Sequence, residues 1–379
     1  MIIPFNKPYL TGRETDYIKR AVRSGKISGN GIFTKRCQSF FEERYGFRKC
    51  LLTTSCTDAL EMAAILAEVG PGDEVIVPSY TFVSSALAFV RQGAKIVFCD
   101  SCRDNPNINP VEVEKLVTAR TKVIVPVHYA GVACDMDAVM DIAERHNLLV
   151  VEDAAQAVDS FYTGKDGVRR PLGSIGHLAA FSFHETKNII SGEGGMLVVN
   201  DPRFIRRAEI IWEKGTNRAE FFRGEVNKYG WVDAGSSFLP SEIVAAFLWA
   251  QLENLDAIQA RRRQIWDRYR AQLSPLAGRG AFSLPDIPGY ATNNAHMFYL
   301  VFPDLEKRTK FIADMKARDV QCVFHYLALH ASAFYAGKHD GRALPNCDRF
   351  ADCLVRLPLF YELDGELVIS AVMETLSKI

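Results

Sequence analysis

Neither sign of charge is in excess in this chain of 379 residues, which carries 45 Lys and Arg against 45 Asp and Glu. Proteins that bind nucleic acid usually present a strongly basic surface, so we do not expect nucleic acid as a partner. Long apolar runs are also missing, because no segment approaches the roughly 18 uninterrupted apolar residues of a membrane span. The opening residues, MIIPFNKPYL, contain Pro and Lys where a signal peptide requires an apolar stretch. These absences predict a cytoplasmic protein without a membrane partner.

A cysteine framework is lacking as well. The nine cysteines are an odd number scattered along the chain, which favours reduced thiols over disulfides. Cys99 and Cys102 have the C-x-x-C spacing of a redox or metal half-site, but no second pair and no nearby His-x-His completes it. We interpret this pair as the end of a strand and its turn, and we expect no metal site.

The order of the hydrophobic patterns indicates an α/β protein. Between about residues 50 and 200, short β-branched runs alternate with helical patterns, as in strand-helix-strand units of a mostly parallel sheet. A chain of this length exceeds the size at which single cores usually stop growing, so a second domain is expected. The predicted strands are 75–77, 95–98, 122–127 and 148–151, and the predicted helices are 57–68, 110–118 and 136–146.

The pattern changes after about residue 200. We therefore divide the chain into a large domain, 1–249, and a smaller α+β domain, 250–379. The predicted elements of this later part are a loop at 214–235, a helix at 241–273, strands at 296–302 and 320–324, and helices at 305–318 and 365–378.

Polar or small residues follow each predicted strand of the large domain. In open α/β sheets, ligands bind beyond the carboxyl ends of the strands, so a ligand site is expected at this edge. The residues at the strand ends are Ser79, Tyr80, Asp100, His128, Tyr129, Glu152 and Asp153.

Three segments supply distinct chemical groups near these ends. Residues 52–60, LTTSCTDAL, place Ser and Thr at a helix start, where they either bind phosphate or simply cap the helix. Asp153 opens the small-residue segment DAAQ, and it is either a ligand to a flat ring or a helix cap. Lys187 lies 34 residues later and precedes the flexible GEGG at 192–195. A single lysine is by default a surface residue.

Together, these groups match the requirements of pyridoxal-5'-phosphate (PLP) chemistry. That cofactor needs a lysine amine for its covalent attachment, a carboxylate beside its ring nitrogen, a phosphate cradle and an aromatic face. The combination is much more specific than any one of its parts.

The chain also resembles the DegT/DnrJ/EryC1/StrS sugar aminotransferases. The resemblance covers nearly the whole chain, through the motifs SGKISGNG, PGDEVIVPSYTFVSSA, VIVPVHYAG, VVEDAAQA, SFHETKN, GEGG, LPSEIVAAFLWAQL and FHYLALH. It implies PLP as the cofactor and the aspartate-aminotransferase fold, fold type I. In that fold a large domain with a mostly parallel mixed sheet, flanked by helices, is joined to a smaller α+β domain.

The resemblance further implies roles for individual residues. Lys187 is expected to carry the cofactor and move protons, and Asp153 to pair with the pyridine nitrogen. Gln156 is expected beside the ring hydroxyl and Phe82 on the ring face. Ser237 stands where many relatives have an Asn that reaches the cofactor phosphate of the neighbouring subunit. The implied phosphate donors are Ser55, Cys56, Thr57 and Ser182.

One subgroup of the family shares the motifs SFHETKN, EKGTNR, FFRG and GSSFLPSE more closely. This similarity implies transfer of an amino group from L-glutamate to the fourth carbon of dTDP-4-keto-6-deoxy-D-glucose, for surface-glycan synthesis.

The family also implies a homodimer with shared active sites, to which residues 213–237 contribute. His325 and Tyr326 are expected at the substrate mouth, whereas His184 either touches the substrate or fills the strand end.

Other functions stay open from the sequence. The alternative substrate is another dTDP- or UDP-linked keto sugar, aminated at the third carbon or dehydrated. Relatives that dehydrate sugars have His in place of the lysine, and a regulator with a degenerate site would have lost the lysine or the aspartate. Lys187 and Asp153 argue against both.

Overall fold

A seven-stranded mixed sheet lies at the centre of the structure, a computed structural model that describes residues 2–376. The first nine strands are β1 (Cys50–Thr53), β2 (Glu74–Pro78), β3 (Lys95–Cys99), β4 (Thr121–Ile124), β5 (Leu149–Asp153), β6 (Phe161–Thr163), β7 (Arg169–Pro171), β8 (Leu178–Ser182) and β9 (Gly195–Val199). Seven of them follow the order β1-β9-β8-β5-β4-β2-β3, whereas β6 and β7 pair separately. Only β9 runs against its neighbours within this sheet, which confirms the predicted mostly parallel arrangement.

Side chains along the central strands alternate between two apolar clusters, one on each face of the sheet. Val75 and Val77 belong to one cluster and Ile76 to the other, as expected for the two-residue period of a strand. Helices cover both faces, which is why the middle residues of these strands are apolar on both sides of the sheet. The helices of this part are α1 (Glu14–Arg23), α2 (Ile32–Tyr45), α3 (Cys56–Leu66), α4 (Ser84–Arg91), α5 (Pro110–Leu116), α6 (Met136–His146), α7 (Ile205–Trp212), α8 (Arg218–Phe222) and α9 (Glu242–Leu252).

A smaller, three-stranded antiparallel sheet forms from the last part of the chain. The elements of this part are α10 (Leu255–Ala277), β10 (Phe298–Val301), α11 (Leu305–Lys316), β11 (Val323–Phe324), α12 (Pro345–Cys353), β12 (Leu354–Leu357) and α13 (Gly365–Leu376). Strand β12 lies between β10 and β11 in the sheet. Helix α10 connects the two cores, because Ile258 packs in a cluster of the large sheet and Tyr269 packs in the cluster of the small sheet. The domain boundary at residue 249 stays a prediction.

The predicted elements differ from the structure mainly near residue 253. The single helix predicted for 241–273 is wrong, because α9 ends at Leu252 and α10 begins at Leu255. The Asn254 side chain donates a hydrogen bond to the Ala250 carbonyl at 3.0 Å, and such local bonds compete with helix continuation. The strand predicted for 320–324 shortens to β11, and the predicted loop 214–235 contains α8.

No helix in residues 2–376 combines the length and the apolar content needed to cross a bilayer. The longest, α10, spans 23 residues and includes the charged run RRR.

Candidate active site

A cavity of about 1000 Å³ opens at the carboxyl ends of the central strands. Asp153 ends β5 and Ser182 ends β8, and because these strands pair in parallel both residues lie at the same edge of the sheet. The loop after β11 lines the cavity with His325 and Tyr326. The cavity therefore lies where the strand ends predicted a ligand site.

The start of helix α3 forms one wall of this cavity. Ser55 caps the helix, since its Oγ accepts a hydrogen bond from the Asp58 amide at 3.0 Å. The amides of Cys56 and Thr57 fall in the first turn, where a helix offers no carbonyl partner. All three residues, Ser55 to Thr57, line the cavity. This helix end can therefore bind an anion through free N–H groups and the helix dipole.

Asp153 is buried at the base of the cavity and is oriented by two hydrogen bonds. Its Oδ2 accepts a bond from Ser85 Oγ at 2.6 Å, and its Oδ1 accepts one from the Ala155 amide at 3.1 Å. Only 5% of Asp153 is exposed, yet the residue lines the cavity. The carboxylate is thus held in one orientation toward whatever occupies the space. Ser85, on α4, was not identified from the sequence.

Lys187 lies in the turn that follows β8 and also lines the cavity. Its backbone amide donates to the His184 carbonyl at 2.8 Å, which closes the turn. Burial lowers the pKa of the Lys187 amine; nearby Cys56 and Asp153 raise this pKa and the Arg356 charge lowers it. Within residues 2–376, no protein group forms a hydrogen bond with Lys187 Nζ. The side chain is therefore free to react with a carbonyl carbon in the cavity.

Gln156 connects the large sheet to the loop after β11. Its Oε1 accepts a hydrogen bond from the Ala130 amide at 2.6 Å, and its Nε2 donates to Tyr326 Oη at 3.0 Å. Phe82 also lines the cavity, with 55% of its surface exposed and its ring 6.1 Å from that of Tyr326. A polar side chain and an exposed aromatic face are therefore available to a planar ligand.

These groups fit PLP. Lys187 offers an unpaired amine, Asp153 a buried carboxylate, the start of α3 an anion site, and Phe82 an aromatic face. Ser182 lies beside them at the end of β8, and its Oγ accepts a hydrogen bond from the His184 amide at 3.3 Å. Segments separated by more than 100 residues in sequence thus line one cavity with the groups that this cofactor requires.

The three residues expected to meet the substrate also line the cavity, but in different environments. His184 is partly exposed, with Nδ1 2.9 Å from Thr186 Oγ1. His325 is buried, with Nδ1 2.7 Å from Tyr129 Oη, and its ring stacks on Tyr326 at 3.5 Å. Burial, aided by the charges of Arg356 and Lys187, lowers the pKa of His325 well below its ordinary value.

Ser237 does not line this cavity within the single chain. It is exposed in the loop that follows α8, where it pairs with Glu213 through the backbone. Its expected contact with a cofactor phosphate stays a prediction about a neighbouring subunit.

Two further cavity residues, Arg356 and His296, were not identified from the sequence. Arg356 belongs to β12 and donates to the Phe324 carbonyl at 3.3 Å, and among the described residues it has no carboxylate partner. Burial lowers its pKa. The sequence contained a signal for Arg356, because this arginine interrupts the apolar run LVRLPLF. His296 opens the predicted strand at 296–302, where it looked like an ordinary strand residue.

The cysteines carry free thiols, and Cys99 lies at the end of β3 as expected. Over residues 2–376 no group of three or more His, Cys, Asp or Glu side chains is placed to hold a metal ion.

Comparisons with known proteins give the family. The pattern of the DegT/DnrJ/EryC1/StrS aminotransferase family matches residues 8–377. The spore coat polysaccharide biosynthesis protein SpsC of Bacillus subtilis is 31% identical over 384 residues, covering 98% of this chain and 96% of that protein. The structure of DesV from S. venezuelae aligns with a TM-score of 0.89 and 31% identity, over 100% of this chain and 99% of that one. A Streptococcus pneumoniae protein described as a sugar aminotransferase, solved in its PLP form, aligns with a TM-score of 0.89 and 26% identity, over 100% and 99% of the two chains. The chain therefore belongs to the DegT/DnrJ/EryC1/StrS aminotransferase family and is a PLP-dependent aminotransferase of fold type I that acts on sugars.

Proposed function

We propose that this enzyme transfers an amino group from L-glutamate to the fourth carbon of dTDP-4-keto-6-deoxy-D-glucose, in the cytoplasm, for surface-glycan synthesis. The observation that carries the amino-transfer part is the single cavity shared by Lys187, Asp153 and the start of α3. The sugar substrate rests on the motifs shared with one subgroup of the family. The function named for SpsC, polysaccharide biosynthesis, agrees with this class of substrate.

The cofactor would be held by groups that the cavity brings together. When bound, PLP supplies an aldehyde carbon that exchanges amines and a ring that accepts electrons. Asp153 would keep the ring nitrogen protonated, and the hydrogen bonds from Ser85 and Ala155 orient its carboxylate for this task. Gln156 would lie beside the ring hydroxyl, and Phe82 would cover a ring face. The proposed phosphate donors are Ser55, Cys56, Thr57 and Ser182.

Lys187 would move the protons of both half-reactions. Its amine takes a proton from the α-carbon of glutamate and later delivers one to the fourth carbon of the sugar. The lowered pKa of this amine favours its action as a base near neutral pH, because burial disfavours the charged form. Since one side chain delivers the proton, it also determines the stereochemistry of the new amine.

The charge of the cavity supports anionic substrates. Both L-glutamate and a dTDP-linked sugar carry negative charge, and Arg356 supplies a cation without a carboxylate partner in the described chain. His325 and Tyr326 lie in the loop after β11 and would contact the sugar nucleotide, with His184 at the turn before Lys187. An uncompensated arginine in a partly buried site favours a ligand that brings the missing charge.

A homodimer is the proposed assembly. The loop that follows α8 exposes apolar side chains that a partner subunit would cover, and Ser237 lies in the same loop. We propose that Ser237 contacts the cofactor phosphate of the partner subunit. The exposed apolar residues are Phe222 (69%), which ends α8, and Tyr229 (52%), Trp231 (83%) and Val232 (54%), which lie in the loop after it.

An absorbance experiment tests the proposed function. PLP-loaded enzyme is treated first with L-glutamate and then, after removal of the amino acid, with dTDP-4-keto-6-deoxy-D-glucose. We expect the visible band of the loaded enzyme to be lost with glutamate and restored by the sugar. Lys187→Ala is the control, because it should cycle through neither step.

The possible outcomes distinguish the class of reaction from the identity of the sugar substrate. Loss of the band without its return would retain the amino-transfer reaction and discard this sugar, and a second trial with UDP-linked and 3-keto sugars would follow. A protein that shows no spectral response to glutamate or to other amino donors would contradict the proposal.

A further inference from the structure

A buried polar network connects His296 to the turn that carries Lys187. His296 Nδ1 lies 2.9 Å from Oδ1 of Asn188, the residue that follows Lys187. Asn188 Nδ2 in turn donates to Gln259 Oε1 and to the Asn294 carbonyl, each at 2.8 Å. His296, Asn188 and Gln259 are all buried. The network therefore ties the imidazole of His296 to the turn that holds the reactive amine.

The network determines which nitrogen of His296 carries the proton. The Asn294 carbonyl can only accept a hydrogen bond, so the amide of Asn188 must direct its NH₂ group toward that carbonyl. Its oxygen then points to His296 and can only accept. Nδ1 of His296 must consequently be the donor, and Nε2 of the neutral ring carries a lone pair.

Nε2 is the free nitrogen of this ring. Within residues 2–376 no protein group bonds to it, and His296 lines the cavity beside Lys187 and His325. Burial lowers the pKa of His296 well below its ordinary value, and the charges of Lys187, Arg262 and Arg356 lower it further. The ring therefore stays neutral, and Nε2 can accept a hydrogen bond without taking a proton.

We propose that His296 is a hydrogen-bond acceptor in the amino-transfer reaction, held in its Nδ1–H tautomer by Asn188 and presenting Nε2 to a donor in the cavity. Two groups of the reaction supply such a donor: the protonated amine of Lys187, after it has taken a proton, and a hydroxyl group of the sugar. The donor's identity rests on the proposed function, whereas the tautomer rests on the network alone.

Two variants of His296 distinguish the roles of its two ring nitrogens. The shorter amide of His296→Asn reaches the position of Nδ1 and can still donate to Asn188, but it removes the acceptor. The longer amide of His296→Gln reaches the position of Nε2 and can still accept, but it gives up the bond to Asn188. A purely structural role predicts that His296→Asn behaves as the wild type and that His296→Gln is impaired. The proposal predicts the reverse order for catalysis.

The tautomer is measured first, without any reaction. Protein labelled with ¹⁵N-histidine gives two-bond ¹H–¹⁵N correlations whose pattern distinguishes the two tautomers and the cation, and the spectrum of His296→Asn assigns the His296 signals. We expect the Nδ1–H pattern, unchanged between about pH 6 and 8. An Nε2–H pattern, or a cationic ring in this range, would overturn the proposal.

Single-turnover rates of the two half-reactions then identify the donor. We expect His296→Asn to slow catalysis about tenfold or more, the worth of one hydrogen bond to a charged or reacting group. Slowing of both half-reactions supports the Lys187 amine, and slowing of the sugar half-reaction alone supports a sugar hydroxyl. Wild-type rates in both would refute the proposal. If the wild type itself rejects the sugar, the proposed substrate fails, but the glutamate half-reaction and the spectrum still test His296.

Discussion

At the scale of single residues, the proposed chemistry depends on the protonation state of the Lys187 amine. Burial and the charge of Arg356 disfavour the ammonium form, whereas Asp153 and Cys56 favour it. The lowered pKa is the net result, so burial outweighs the neighbouring carboxylate. A buried amine with a lowered pKa is suited to attack a carbonyl carbon and to accept a proton.

The same burial predicts that Lys187 destabilises the cofactor-free protein. At neutral pH the unfolded chain binds a proton at this amine more readily than the folded chain does, so Lys187→Met should raise the apo protein's free energy of unfolding. The gain should shrink as the pH rises toward the ordinary lysine value of about 10.4, because the unfolded chain then loses the same proton. Thermal unfolding of the apo wild type and the apo Lys187→Met protein, at neutral pH and at about pH 10, measures this gain in stability.

The matched control is Lys165→Met, which changes an exposed lysine in the turn before β7. We expect no comparable gain there. An apo Lys187→Met protein that melts at or below the wild-type temperature at neutral pH would contradict the argument.

At the scale of elements, the proposed anion site depends on close packing between α3 and β9. Gly195 begins β9, and a Cβ atom at this position would overlap the Ser55 backbone and the Cys56 nitrogen. Backbone atoms cannot rotate away as a flexible side chain can, so the strand and the helix start approach this closely only with glycine. The GEGG motif, noted in the sequence for its flexibility, thus has a packing function at its last residue.

Gly195→Ala should therefore displace the start of α3. We expect a loss of about 1–3 kcal/mol in stability, the usual range for overpacking, together with weaker binding of PLP. Chemical denaturation of the apo protein and fluorescence titration with PLP measure the two effects.

Gly70→Ala is the comparison, because a Cβ at Gly70 meets no atom within 4 Å. This variant should remain within about 0.5 kcal/mol of the wild type with unchanged PLP affinity. Equal behaviour of the two alanine variants would mean that the helix start tolerates the added methyl group.

At the scale of the whole molecule, the exposed loop that follows α8 is the feature that a single chain does not explain. Trp231 is 83% exposed in this loop and Phe222, at the end of α8, is 69% exposed, which are high values for large apolar side chains. Covering them with a second copy would bury this surface and bring Ser237 to a neighbouring site, as the family resemblance implies.

Trp231→Asp should therefore weaken the proposed homodimer, because a charge would be buried in an apolar contact. Light scattering coupled to size-exclusion chromatography should show about half the wild-type mass at micromolar concentration, and PLP affinity should fall with it. Val111→Asp, at another exposed apolar position with 62% exposure, should leave both unchanged. A Trp231→Asp protein with the mass of the wild type would count against this surface as the interface.

Local sequence patterns predicted much of this fold and part of its site. Four strands of the large sheet, β2 to β5, follow from β-branched runs. Helix α6 has the bounds 136–146 that its pattern predicted, because Asp135 caps its start and Asn147 ends it in a left-handed conformation. Lys187 and Asp153 could be proposed as site residues from the sequence because each stands in a distinctive local context: a turn before glycines, and the end of an apolar strand. Their neighbours in space could not be identified in this way.

What the sequence by itself determined is therefore the four strands β2 to β5, the family motifs, and the groups that lie beside those motifs. Only the tertiary structure decided that Ser85 orients Asp153, that Arg356 from the small sheet adds a charge to the cavity, and that the surroundings of Asn188 set the proton on His296. The physical reason is distance along the chain. Periodicity and capping act over a few residues, whereas these contacts join segments about 70 to 200 residues apart, and they form only when the chain has folded around the cavity.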